Sequence, residues 1–222
     1  MSHLLSKSKY IRGLQCDRAL WLDVHNPRLA KYTREQMQRF DRGRDFEYSF
    51  KATFPKGIDI SAELKRNVDA YPALTVQFLD REEEVDLFEA GFYYNDVLVL
   101  ADVVHKCSDG SLDIYEVKSG NALSETYIRD AALQYYVISN CREIHTFSIV
   151  YANSAGGFIT EDLTEALQAQ YDEIEKNLAA MKAIALSTNE PDTPTGHHCL
   201  TPYACPYQHY CQKGVRQMSL FG

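Results

Sequence analysis

The chain has no apolar run long enough to span a membrane. Its opening, Met1-Ser2-His3-Leu4-Leu5-Ser6-Lys7, lacks the apolar core of a secretory signal. The expectation is a cytoplasmic protein with no membrane partner, in which cysteines serve as metal ligands or free thiols rather than disulfides. There is no Cys-x2–4-Cys knuckle, the common mark of structural zinc. Internal repeats and low-complexity tracts are absent, which excludes a repeat architecture. Basic residues are also in deficit: 23 Lys and Arg against 31 Asp and Glu give a net charge of −8. Taken alone, that argues against a nucleic-acid partner.

What is present changes the picture. The 222 residues, 45% hydrophobic and 24% charged, suit one globular domain over 1–222 with a real core. Residues 1–44 carry ten Lys and Arg against four acids, a local charge of +6 that leaves −14 for the remainder. A basic face on an acidic body suits a protein that meets a phosphate backbone at one place. A pair of charged, solvated helices is the competing reading of the same residues.

The chemistry concentrates in one stretch. Leu98 to Cys107 and Leu112 to Lys118 are rich in β-branched and aliphatic residues, and Ser108-Asp109-Gly110-Ser111 separates them. This predicts a β-hairpin with a three-residue loop and Gly110 in the left-handed conformation. Cys107 then pairs with Ser111, and counting back sets Asp102 opposite Glu116. Lys118 joins their face, while Val103 and Val117 point to the other side. Two opposed carboxylates repel unless something compensates them, and hard oxygen ligands suit Mg²⁺ or Mn²⁺. The competing account is a surface Glu–Lys pair with an unrelated aspartate.

Along the rest of the chain, Ser6 is expected to cap a helix through Leu22 that contains Cys16 and ends before Pro27. A second helix starts near Thr33 and carries Glu47. Residues 61–80 read as helix broken at Pro72. Val85 to Tyr94 is a strand, and Asn95-Asp96 a tight turn into the Asp102 strand, completing an antiparallel meander. Ser124 caps a helix over 125–141 that carries Gln134, with Tyr135 and Tyr136 beside it. Thr146 to Tyr151 is a further strand and Gly156-Gly157 a turn. A long helix is expected from Thr160 to about Leu186, followed by a proline-punctuated linker.

Cys199, Cys205 and Cys211 form a C-x5-C-x5-C run. Three thiolates do not close a four-ligand site. The fourth ligand is His197, His198 or His209, or a distant cysteine, for which Cys16 is the best candidate. Cys107 and Cys141 read as buried thiols. Spacing alone does not separate zinc from a [4Fe–4S] cluster; the missing knuckle favours the cluster.

The ordered set Cys16, Gly43-x3-Glu47, Asp102, Glu116-Val117-Lys118, Gln134, then Cys199, Cys205 and Cys211 resembles the RecB-like iron–sulfur branch of the PD-(D/E)XK nucleases. The opening Leu5-Ser6-Lys7-Ser8-Lys9-Tyr10 is similar to that of stand-alone members. The resemblance implies a restriction-endonuclease-like α/β fold, a mixed sheet flanked by helices. Glu47, Asp102, Glu116 and the Val117 carbonyl would hold Mg²⁺ or Mn²⁺. Lys118 and Gln134 would act at the scissile phosphate with Asp102 and Glu116. A [4Fe–4S] cluster on Cys16, Cys199, Cys205 and Cys211 would join 1–32 to 188–213. The activity implied is a deoxyribonuclease, an exonuclease on single-stranded DNA or DNA ends, serving repair, recombination or CRISPR adaptation. The Gln-x3-Tyr of the family is not kept after Gln134, where Val137 and Ile138 follow Tyr135 and Tyr136, and the cysteine spacing is longer than in the CRISPR-type proteins. The alternative is an iron–sulfur or zinc DNA-binding module without cleavage. Finally, Gln217-Met218-Ser219-Leu220-Phe221, in the tail 214–222, resembles the pentapeptide that binds the bacterial sliding clamp, with Gln217, Leu220 and Phe221 as its contacts.

Overall fold

The computed structural model describes residues 4–64, 67–81 and 83–218, with side chains through residue 213. The architecture is α/β: a mixed seven-stranded sheet flanked by helices. The chain opens with strand β1 (Leu5–Ser6), then helices α1 (Lys7–Gln15), α2 (Asp17–His25) and α3 (Arg34–Lys51). Strand β2 (Ile58–Asp59), α4 (Ile60–Leu64) and α5 (Tyr71–Arg81) lead into β3 (Val85–Tyr94), β4 (Val97–Lys106) and β5 (Leu112–Lys118). Then come α6 (Glu125–Ser139), β6 (Ile144–Ala152), β7 (Phe158–Asp162), α7 (Thr164–Gln168), α8 (Tyr171–Leu186) and α9 (Gln208–Met218). The sheet order is β2-β3-β4-β5-β6-β7, and β1 lies parallel to β4.

The meander β3-β4-β5 forms as its alternation predicts. Asn95 and Asp96 both take positive φ, 50° and 60°, the requirement of a tight hairpin turn. Helix α6 starts where expected, with the Ser124 hydroxyl accepting from the Tyr127 amide at 3.2 Å. It crosses over to β6, which runs parallel to β5. Helix α3 opens with a capping box, Thr33 and Gln36 each bonded to the other's backbone amide.

Three expectations fail. The first helix is two helices, because Cys16 is extended (φ −168°, ψ 123°) and serves as the C-cap of one and the N-cap of the next. The break lets Ala19, Trp21 and Leu22 bury against Tyr207, away from the main core, so tertiary packing overrides helix propensity. Pro72 does not break a helix. It lies in the first turn of α5, where a missing N–H costs nothing. Residues 158–162 are strand rather than the start of a long helix; Thr160 pairs with Val150 and supplies the outer edge of β6 with partners. The helix that follows starts at Thr164 and is interrupted before Tyr171.

Two apolar layers cover the sheet. Val104, Leu112, Ile114, Phe147 and Ile149 pack with residues of α1, α5, α6 and α8. On the opposite face Val103, Val117 and Val150 pack against Phe50 of α3, with Phe46, Phe54, Phe88 and Tyr115 around them. Val103 and Val117 therefore sit on the predicted side, and α3 brings Glu47 to the mouth of β4 and β5.

Candidate active site

The hairpin turn sets the register as its chemistry requires. The Cys107 amide donates to Ser111 and the Gly110 amide to Cys107, each at 2.9 Å, and Gly110 has φ +91°. Pairs run from Lys106↔Leu112 to Val103↔Tyr115. One step further would set Asp102 against Glu116, and there the ladder opens. The Asp102 carboxylate accepts from the Val117 amide at 2.7 Å in place of a backbone partner. The other edge of β4 opens at the same level. Pairing passes from Phe88↔Val103 to Ala90↔Ala101, skipping Glu89, whose φ is +54°. Both irregularities flank Asp102.

Acids and ammonium groups alternate around this opening. Lys118 binds Glu116 at 2.6 Å and Asp130 of α6 at 2.5 Å. Lys7 of α1 reaches both Glu116 oxygens at 3.2 and 3.3 Å and lies 3.7 Å from Asp102. Lys51 binds Glu47, and Glu89 at 2.7 Å. Carboxylate oxygens of Glu47, Glu89 and Asp102 all lie within 4.8 Å of one another. Five acids thus meet three lysines, and full ionisation leaves two uncompensated negative charges.

Burial sharpens that imbalance. Burial pushes the Asp102 carboxyl well above the usual range, and Glu116 adds to the rise while Lys7 opposes it. Glu116 is only 1% exposed. Its burial works upward too, but Lys118 and Lys7 outweigh it and hold the carboxyl at about 2. For Lys118 and Lys7, burial alone would lower the pKa. Asp130 and Glu116 raise that of Lys118, and Glu116 and Asp102 that of Lys7, so both stay cationic.

Gln134 is fully buried on α6; its amide faces Glu116 without a hydrogen bond of normal length. It lies close enough to Glu116 to help hold that carboxylate charged. An orphaned buried amide beside an acid-rich opening fits a site built to hold a cation and its waters. Tyr135 and Tyr136 belong to the core instead: Tyr136 accepts from Asn95 at 2.9 Å, and Tyr135 packs on Phe147.

A groove of about 550 Å³ runs from this opening. Lys7, Arg12, Arg39, Arg44 and Lys118 supply its cations, and Tyr32, Phe40, Tyr127 and Tyr203 its rings. The Arg39 guanidinium lies 5.2 Å over Tyr203, and Phe40 stands edge-on to Tyr32 at 5.7 Å. Phe40 and Tyr32 are 44% and 46% exposed, leaving ring surface free for another planar group.

Cys16, Cys199, Cys205 and Cys211 lie near enough to one another to interact electrostatically. Burial raises the thiols of Cys16, Cys205 and Cys211, and their mutual proximity adds to it: Cys211 feels the other three. Gln15, next to Cys16, donates to the carbonyls of His198 and Tyr203 at 2.6 and 2.7 Å. The Lys31 amide bonds to Pro206, and the Tyr207 hydroxyl binds Asp23. Cys107 and Cys141 lie elsewhere, each bonded within the sheet region.

Sequence reasoning missed Lys7, Lys51, Glu89 and Asp130. Glu89 had a signal: Leu87-Phe88-Glu89-Ala90 breaks the apolar alternation at the skipped residue. The other three belong to helices, and their approach follows only from packing. Of the tail, Gln217 lies in α9 with its side chain outside the described residues, and Leu220 and Phe221 are wholly outside them.

No family model matches the chain, and no curated protein matches it. Among solved structures it is similar to one described as "Crystal structure of SSO0001", at 11% identity, covering 94% of this chain and 85% of that one. The TM-score is 0.47, a likeness too weak to carry an argument. No described helix is long and apolar enough to cross a membrane.

Proposed function

We propose that this chain is a metal-dependent deoxyribonuclease with a restriction-endonuclease-like core, acting on single-stranded DNA or on DNA ends. The observation that carries the reading is the meeting of Asp102, Glu116 and Lys118 with Glu47 at the head of a groove lined by cations and rings. Grooves of that composition track a nucleic-acid backbone and stack its bases.

Glu47, Asp102, Glu116 and the Val117 carbonyl would hold Mg²⁺ or Mn²⁺, and Glu89 joins them. A divalent cation, when bound, supplies Lewis-acid polarisation of a phosphate and a more acidic water. With all five acids ionised, as a bound cation would favour, the two surplus negative charges match its charge. Lys118, kept cationic by Asp130 and Glu116, places positive charge where the phosphate's negative charge develops; it is an electrostatic group and not a proton acceptor. Gln134, beside Glu116, presents an amide that can orient water or a phosphate oxygen. The ring faces of Phe40 and Tyr203 stack bases along the approach.

The four cysteines hold a [4Fe–4S] cluster in this reading, joining 1–32 to 188–213. The missing Cys-x2–4-Cys knuckle favours the larger cluster over zinc. Its role is structural: it fixes the groove's far wall.

The test is anaerobic purification, a visible spectrum, and end-labelled single- and double-stranded DNA with Mn²⁺. Wild type should shorten labelled strands and Lys118→Ala should not, with the cluster absorbance retained in both. Full activity in Lys118→Ala would remove the nuclease reading. Binding without cleavage by wild type would leave the DNA-binding module.

A further inference from the structure

The site described above leaves one group of potential ligands unused, at the opposite end of the same hairpin. Cys107, Asp113 and His145 each offer a ligand atom, and these atoms all lie within 4.8 Å of one another. Cys107 is five residues beyond Asp102 on the same run, about 16 Å away at about 3.3 Å per residue. The group is therefore separate from the acids around Lys118.

Its geometry is built by a local irregularity. The pairing of β5 with β6 shifts between Leu112 and Asp113, so Leu112 faces Ile144 and Asp113 faces Thr146. Shifts of this kind re-aim a side chain. The result is that one Asp113 oxygen, Oδ1, takes both the His145 ring at 2.8 Å and the Thr146 hydroxyl at 2.6 Å. The other, Oδ2, lies 3.6 Å from the Cys107 sulfur. The edge from sulfur to oxygen in a tetrahedron about zinc is about 3.5 Å, from Zn–S of about 2.3 Å and Zn–O of about 2.0 Å. The two atoms already stand at that separation.

We propose that Cys107 Sγ, Asp113 Oδ2 and His145 Nδ1 form a zinc site that ties the β4–β5 turn to the start of β6, the thiol proton leaving to solvent and Nδ1 exchanging its hydrogen bond with Oδ1 for the metal. Thiolate, imidazole and carboxylate are the donors that zinc takes, and three protein ligands with one open position is a recurrent arrangement. The Thr146 hydroxyl keeps Oδ1 engaged and so holds the carboxylate in orientation, as outer partners of metal ligands do. The His145 side chain is 63% exposed, so the fourth position opens to water.

The experiment titrates the full chain, with its other metal groups retained, using Co²⁺ as a spectroscopic stand-in for zinc and then Zn²⁺ by calorimetry. Cys107→Ser and His145→Ala are compared with wild type, and Cys141→Ser serves as the thiol control. One equivalent of Zn²⁺ should be lost in both site variants and kept in the control. The near-ultraviolet thiolate-to-Co²⁺ band assigned to that equivalent should vanish in Cys107→Ser. His145 lies on the surface, so His145→Ala tests the site even if the cysteine change perturbs folding. Unchanged stoichiometry in His145→Ala overturns the proposal. The readout is metal count, so it stands or falls apart from the nuclease reading.

Discussion

At the scale of single residues, the site is a contest among charges. Lys7 occupies the space between Asp102 and Glu116, and a cation bound by those acids must displace its ammonium. Lys7→Ala should therefore lower the Mn²⁺ concentration for half-maximal cleavage, by about tenfold if about 1.4 kcal/mol of competition is removed. Activity against Mn²⁺ concentration checks this; an unchanged midpoint makes Lys7 a bystander. Glu89 tests the acid that sequence reasoning missed. Its φ of +54° costs a non-glycine residue about 1–2 kcal/mol, strain of the kind that persists at functional sites. Glu89→Gly should relieve that strain, keep thermal stability within about 1 kcal/mol of wild type and raise the Mn²⁺ requirement, since Lys51 retains Glu47. Glu116 adds a pH signature. Its carboxyl falls from 4.5 when free to about 2 in the fold. A depressed value stabilises the fold above pH 4.5, and this stability is lost as pH falls from 4.5 toward 2. Asp102, shifted upward, runs the other way: its contribution is complete at low pH and fades as pH rises through its folded value. In divalent-free buffer, Glu116→Gln should flatten the acid-side fall in melting temperature.

At the scale of elements, what was legible depended on how local the cause was. The turn at Gly110 fixes the register of β4 and β5 through a few neighbouring residues, so the pairing could be counted from the sequence as far as Val103↔Tyr115, while the expected Asp102–Glu116 pair gives way to the Asp102 carboxylate accepting from the Val117 amide. Capping at Thr33 and Ser124 is equally local, and both helices start there. The break at Cys16 and the strand over 158–162 have distant causes. The first depends on Tyr207 and the second on the unpaired edge of β6, and neither partner is near in sequence. Lys7 and Asp130 reach the site for the same kind of reason, through the packing of α1 and α6 over the sheet. The packing of α5 on the same sheet has a checkable tight point. A methyl group at Gly91 of β3 would come within 2.9 Å of the Pro72 nitrogen and the Tyr71 carbonyl carbon, backbone that cannot step aside. Gly91→Ala should cost about 1–3 kcal/mol, the range for overpacking. Denaturant unfolding measures this; a neutral effect would mean α5 is free to shift on β3.

At the scale of the whole molecule, a chain of net charge −8 would be repelled by DNA if its charge were evenly spread. The fold concentrates the exception. Arg39 and Arg44 of α3 line the groove with Lys7 and Arg12 of α1, so the basic first 44 residues become one wall. The acidic remainder supplies the sheet that carries Asp102 and Glu116. On the proposed nuclease reading, such an arrangement would draw a strand to one place and discourage contact elsewhere. Its signature is salt dependence, because each neutralised phosphate releases counterions. For a single-stranded oligonucleotide, each lost phosphate contact should reduce the slope of log K against log salt by about 0.7. Arg39→Ala with Arg44→Ala should therefore flatten that slope by about 1.4 if both touch phosphate. Arg39 also lies over Tyr203, so its loss should weaken base stacking and lower affinity even at high salt, whereas Arg44→Ala alone should matter only at low salt. Fluorescence anisotropy across a salt series, with metal replaced by Ca²⁺ or omitted to prevent cleavage, separates the two effects. Slopes identical to wild type in the double variant would place the DNA path away from α3.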